Sequence, residues 1–326
     1  KELALAVLLV LSSVTAVSYY WSTSSDSNDE TNFDNMVDPL LQDEGHNHRN
    51  ASEHEFWTDN IEFVSYNELT KPGNAEVQVA KSPGPGNKTY AYQAGWKGFH
   101  IIDVTDPNNT TVTAWYNDPY TQVLDIKYLQ YNGREYIICQ NQIVDSGQSD
   151  PNVGDWDDPA QVSVNLVDVT DKTDPQWIDS WYDTDHPSGP HNLYTYMIKD
   201  EWYIFVANPD YEDCDIGTGD ACGGITIAHL NFAAYGDLPR IFKVGEAEVS
   251  WETTRGGWIY IHDMTVQKWP GTDTNDPRFG RTFIYGAYWE AGLRIFDVSD
   301  VPHPDDPDYI AYATACYTHT VVTCNW

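Results

Sequence analysis

The chain is short of positive charge. Its 326 residues carry 17 Lys and Arg against 50 Asp and Glu, a formal net charge of −33. Such a surface excludes nucleic acid and anionic lipid as partners, since both need positive potential. It suits a protein kept soluble in cation-rich surroundings, by bound calcium or by high external salt. The contiguous signatures of common enzyme classes are also missing. There is no Gly-rich phosphate loop, no Gly-x-Ser-x-Gly elbow and no His-Glu-x-x-His helix. These absences give the expectation that the chain is not an enzyme.

Cysteine is scarce and patterned. Cys214 and Cys222 lie eight apart around Gly217 and Gly219, and Cys316 and Cys324 lie eight apart in CYTHTVVTC. Each spacing suits a local disulfide, which presupposes an oxidising compartment. Cys139, in the apolar run YIICQ, is left over as a buried thiol. Neither pair has the two-residue spacing of a zinc knuckle. Asn50, Asn87, Asn108 and Asn109 sit in N-glycosylation sequons, in keeping with an extracellular, cell-surface destination.

A long hydrophobic run occurs once, in residues 1–21, KELALAVLLVLSSVTAVSYYW. From residue 3 to residue 21 a helix would be about 28 Å long, close to the ~30 Å of a bilayer's hydrocarbon core. It reads as a secretory signal with a cut after Val14-Thr15-Ala16, or as a retained anchor with Tyr19, Tyr20 and Trp21 at the interface. A third reading is a segment exposed by cleavage just ahead of Lys1-Glu2. In that form residues 1–21 resemble the mature N-terminus of a type IV pilin, although Leu5 stands where that family often has Glu. The resemblance implies a helix that packs with its neighbours as the core of a filament. Residues 22–59 are rich in Ser, Asp, Asn, Glu and His and read as a linker or extended arm, with His46, His48 and His54 as a loose group.

From residue 60 to residue 326 the sequence reads as all-β, in short runs of Val, Ile, Tyr and Trp broken by Gly, Pro, Asn and Asp, with no amphipathic helix between them. An internal repeat organises it. GFHIIDVTDP (98–107), VSVNLVDVTD (162–171) and AGLRIFDVSD (291–300) share a strand ending in Asp-Val-Thr/Ser-Asp, and GGITIAHLNF (223–232) is a degenerate copy. With Asp103, Asp168, His229 and Asp297 as equivalents the spacings are 65, 61 and 68 residues. Each copy contains four strand candidates, so four modules with a tight polar turn before the last strand describe the blades of a β-propeller. The pattern is similar to the LVIVD-repeat propellers over about residues 61–326. The three aspartates read as acceptors for backbone N–H groups of the turn that follows. IEFVSYNEL (61–69) and THTVVTCNW (318–326) look like strands without a blade. They would pair to close the ring, or form an incomplete fifth blade completed by another subunit's arm.

Two constellations carry candidate chemistry. His191, His262 and His319 stand at equivalent starts of first strands, which line a propeller's channel, and could converge on a metal ion with Asp263 behind them. The matching positions in the first two modules, near Glu76 and Leu124, break that ring. Asp213, Asp215 and Asp220 surround glycines in a bridged loop of the kind calcium uses, and Asp155, Asp157 and Asp158 form a looser set. The sequence thus favours a homopolymeric surface filament that displays a propeller and takes calcium. Its rivals are an anchored propeller that binds a ligand, surface glycans or other cells, and a metalloenzyme using the channel histidines.

Overall fold

The computed structural model describes residues 64–67, 69, 75–142, 163–183, 190–208, 224–232, 239–247, 261–288, 292–301 and 309–313. Residues 1–21 and the arm to residue 59 lie outside them. No helix among the described residues is long and apolar enough to cross a membrane. All the regular structure there is β: β1 (Val77–Lys81), β2 (Thr89–Asp103), β3 (Thr111–Tyr131), β4 (Arg134–Gln142), β5 (Val164–Asp168), β6 (Gln176–Trp181), β7 (Asn192–Ile198), β8 (Glu201–Asn208), β9 (Gly224–Asn231), β10 (Arg240–Ala247), β11 (Asp263–Lys268), β12 (Thr282–Tyr288), β13 (Gly292–Asp297) and β14 (Tyr309–Ala313).

Strands β7–β10 and β11–β14 form two antiparallel four-stranded sheets, and β1–β6 pair in order as a six-stranded one. The larger sheet is two blades, because two of its strands do double duty. Val104 N–H donates to Thr89 O at 2.9 Å, so β2 doubles back on itself within GWKG, residues 95–98. Gly98 permits that bend. Its φ is +141°, and a Cβ there would fall 1.8 Å from Tyr116 O. The first half of β3 pairs with β2 as the last strand of blade 1, and its second half pairs with β4 as the first strand of blade 2. The protein is a β-propeller with four repeated four-stranded modules.

Blades 2 and 3 are apolar on both faces, and the core lies between successive blades. One cluster joins Tyr92, Phe99 and Ile101 of blade 1 to Ile126, Ile137 and Cys139 of blade 2. The next joins Tyr136, Ile138 and Leu166 of blade 2 to Leu193, Ile204 and Val206 of blade 3. A third joins Phe205, Ile225 and Ile227 to Met264, Ile284 and Phe296 of blade 4. Successive residues of a strand face opposite ways, so the unbroken run Tyr136 to Cys139 serves two interfaces at once. Cys139 is a buried free thiol, its pKa pushed up by burial and then by Asp118.

The repeated aspartate builds one hairpin staple three times. Asp103, Asp168 and Asp297 each accept the backbone N–H two residues on, from Thr105, Thr170 and Ser299, at 3.0, 2.8 and 3.0 Å. That hydroxyl in turn accepts the N–H of Thr89, Glu135 or Thr282 at the start of the second strand. The second carboxylate oxygen pairs with a cation one residue earlier: Lys88, Arg134 or Arg281. In blade 3 the residue types are exchanged. His229 occupies the aspartate position and Glu201 the cation position, with Nε2 and Oε2 3.0 Å apart.

The strand expected over 61–69 is not assigned at 64–67. Asn67 Nδ2 donates to Thr110 Oγ1 at 2.9 Å and Ser65 Oγ to Pro107 O, beside the turn of blade 1. Its expected partner, 318–326, lies outside the described residues.

Restoring the usual polarity in blade 3 tests the staple. Glu201→Arg combined with His229→Asp should stabilise the protein by about 0.5–1 kcal/mol in urea unfolding. His229→Asp alone sets a second carboxylate against Glu201 and should destabilise it. Additive single effects with no favourable coupling would refute the exchange.

Candidate active site on the propeller axis

The innermost strands β1, the second half of β3, β7 and β11 pack against one another in succession. Their starts align as AEV, LDI, HNL and HDM, which places Glu76, Asp125, Asn192 and Asp263 at one level around the axis. Ala75, Leu124, His191 and His262 occupy the level before it. Hydrogen bonds tie the levels from blade to blade. Glu76 N–H donates to Leu124 O at 3.1 Å, Leu193 N–H to Asp125 Oδ2 at 2.7 Å, and Gln140 Nε2 to His191 O at 2.6 Å.

One lysine sits among the carboxylates. Lys127 Nζ pairs with Asp125 Oδ1 and lies 3.6 Å from Glu76 Oε1. Burial pushes the Asp125 carboxyl up to about 6 against the pull of Lys127. Asp263 is pushed up to about 7, by burial first and then by the charge of Asp125. Its Oδ1 accepts the Met264 N–H at 2.7 Å. For Lys127, burial favours the neutral amine, yet Asp125 and Glu76 outweigh it and raise its pKa. Glu76 is more open than Asp125, its side chain 32 % exposed where that of Asp125 is 4 %. Carboxyls in contrasting environments around one cation are what acid–base chemistry needs, because one can hold a proton while another accepts one.

The frame around this site is rigid and polar. Asp118, at the end of the last strand of blade 1, accepts Asn141 Nδ2 at 2.6 Å and Asn165 Nδ2 at 3.0 Å from blade 2. Asp183 repeats the arrangement one blade on, accepting Thr226 Oγ1 at 2.7 Å and Asn208 Nδ2 at 3.4 Å. All these side chains are buried.

His191 and His262, expected to converge, do meet: their ring centroids are 4.4 Å apart at an edge-on angle. His319 lies outside the described residues, as do Asp155, Asp157, Asp158, Asp213, Asp215, Asp220, Cys214, Cys222, Cys316, Cys324 and Asn50. Among the described residues no group of three or more His, Cys, Asp or Glu is placed to hold a metal ion. Asn87, Asn108 and Asn109 are exposed in turns at the edge opposite the axial carboxyls. Sequence reasoning missed Asp125 and Lys127, and took Glu76 as a break in a histidine ring. The usable signal was one residue further on, where three of the four modules have an acid.

The LVIVD repeat model matches residues 87–118, the last three strands of blade 1. No curated protein matches the chain. Among solved structures it is similar to an exo-β-1,3-galactanase from Phanerochaete chrysosporium, at 10% identity over 76% of this chain and 51% of that one, with a TM-score of 0.41. The chain thus spans about half the length of the galactanase. An α-L-arabinofuranosidase from Lactobacillus brevis is 11% identical over 74% of this chain and 73% of that one, with a TM-score of 0.41. An auxiliary nutrient binding protein from Bacteroides ovatus is 10% identical over 68% and 55%, with a TM-score of 0.29.

The expectation of a non-enzymatic chain is withdrawn: two of the three similar structures are enzymes, a galactanase and an arabinofuranosidase. The missing motifs excluded less than they promised. A propeller gathers its axial residues from strands dozens of positions apart, so an active site there leaves no contiguous signature.

The axial acids give stability a pH dependence of definite sign. Folded Asp263 holds its proton to about pH 7, whereas the unfolded chain releases it near 4, so the folded state binds more protons between those values. Stability therefore falls as pH rises through that window and levels off above it. Asp263→Asn should remove its share of the fall, a gain on the order of a few kcal/mol at pH 8 relative to the unsubstituted protein, and leave the part that Asp125 contributes below about pH 6. Denaturant unfolding at pH 4.5 and pH 8 reads it directly.

Proposed function

We propose that the protein is an exported propeller with an acid–base active site on its axis, acting as a hydrolase on glycosidic bonds. The observation that carries this is the set Glu76, Asp125 and Asp263, from three blades, arranged around Lys127. Glycoside hydrolysis is the chemistry that asks least beyond such a set. One carboxylic acid protonates the leaving oxygen, and one carboxylate takes a proton from the attacking water or attacks the anomeric carbon itself. Asp263 fits the acid, because its surroundings keep it protonated near neutral pH. Glu76, the more open carboxyl, fits the base. Asp125, buried and bound to Lys127 and Leu193 N–H, holds the field between them. The resemblance in fold to the galactanase and the arabinofuranosidase is compatible with this reading but does not carry it.

A second reading places the same propeller on a surface filament. It is favoured by the apolar run in residues 3–21, which has the length of a membrane or filament-core helix. Regular fibres sheared from cells and identified by mass spectrometry as this chain would support it; recovery from detergent extracts alone would count against it.

The hydrolase reading is tested by sugar release from a panel of polysaccharides that includes a β-1,3-galactan and an arabinose-bearing polymer. Activity should fall above about pH 7, as Asp263 loses its proton. Asp263→Asn should lower kcat about 10²–10⁴-fold with the fold intact. No release from any polymer, or full activity in the Asn variant, would sink the assignment.

A further inference from the structure

Lys127 is nearly buried, its side chain 14 % exposed, and it is the cation that touches two of the three axial acids. It reaches them from two different blades. Asp125 lies two residues earlier on its own strand, and Glu76 belongs to the first strand of blade 1. The far oxygen of Asp125 accepts the Leu193 N–H at 2.7 Å, so that carboxylate spans blades 2 and 3 while Lys127 spans blades 1 and 2. The groups facing this lysine from the packed inner strands are Glu76 on the β1 side, Asp125 on β3 and Asp263 on β11, with the imidazoles of His191 and His262 one level away. One positive charge cannot balance three negative ones in a poorly solvated place, so the cluster holds an extra proton, and the lysine's contacts decide where it does not sit.

We propose that Lys127 is a positioning residue that keeps Asp125 and Glu76 as the anionic side of the axial site. The proton-donating role thereby falls to the carboxyl across the axis. This rests on the hydrolase reading for its consequence, but the charge placement can be measured with no substrate.

The test is carboxyl-carbon NMR of the full chain with labelled aspartate, across pH 4 to 9. In Lys127→Met the Asp125 midpoint should rise by about one pH unit or more, and in Lys127→Arg it should stay within about half a unit of the unsubstituted protein. An Asp125 midpoint unmoved in the Met variant overturns the proposal. Should that variant not fold, nitrogen NMR of Lys127 in the unsubstituted protein decides. An ammonium that persists to pH 10 is the expected result, and loss of its charge near neutral pH overturns the proposal. Charge placement as expected, with no sugar released by the same preparation, would reject the hydrolase reading and leave this one standing.

Discussion

The structure depends on a sheet that is apolar on both faces. Such a blade cannot stand in water alone, and a neighbour of the same kind on each side buries it. Tyr136, Ile137, Ile138 and Cys139 show the constraint at its plainest, since alternate residues of a four-residue run enter different interfaces. Stacking blades radially then leaves the innermost strands with less room than the outer ones. Polar side chains at their starts are pressed together whether or not their charges agree. Glu76, Asp125 and Asp263 come within electrostatic reach of one another for that reason, although they come from modules about fifty and nearly one hundred and forty residues apart.

Packing alone does not fix how deeply each blade sits or how its hairpins register. The staple at the Asp-Val-Thr/Ser-Asp turn does, by giving the start of the second strand and the end of the third a common set of partners. Asp103 shows the electrostatic side: Lys88 first, and then Thr105, hold its carboxyl below the usual range. The staples occupy one edge of the propeller and the axial acids the other, where Asp118 and Asp183 lock adjacent blades. One edge is thus devoted to closing hairpins and the other is free to carry chemistry.

Much of this was legible in the sequence. The repeated Asp-Val-Thr/Ser-Asp gave the number of modules, the order of strands and the backbone-capping role of Asp103, Asp168 and Asp297, because a residue that satisfies its own turn leaves a local mark. His191 and His262 were recognised as neighbours for the same reason, since both stand at one register position. The axial carboxyl cluster was not legible. Its members are neighbours only after successive blades have packed around an axis, and Lys127 reaches Glu76 across a blade boundary that no spacing encodes. The doubled strand β3 hid the register further, because a bulge between Val123 and Ile126 moves Asp125 relative to its counterparts.

The third module shows why departures from a repeat are worth following. At its staple the residue types are exchanged, His229 for aspartate and Glu201 for the cation, which preserves a hydrogen-bonded pair while altering both members. On the axis the same module places Asn192 where the other three place an acid. A fourth carboxyl there would stand beside Asp125 with its Leu193 N–H already committed, and would add negative charge to a cluster that one lysine cannot balance. Asn192 Oδ1 shares the Leu193 N–H with Asp125, at 2.7 Å, without adding charge. The ring is therefore electrostatically asymmetric: three acids, one amide and one lysine stand where a fully repeated ring would place four like groups.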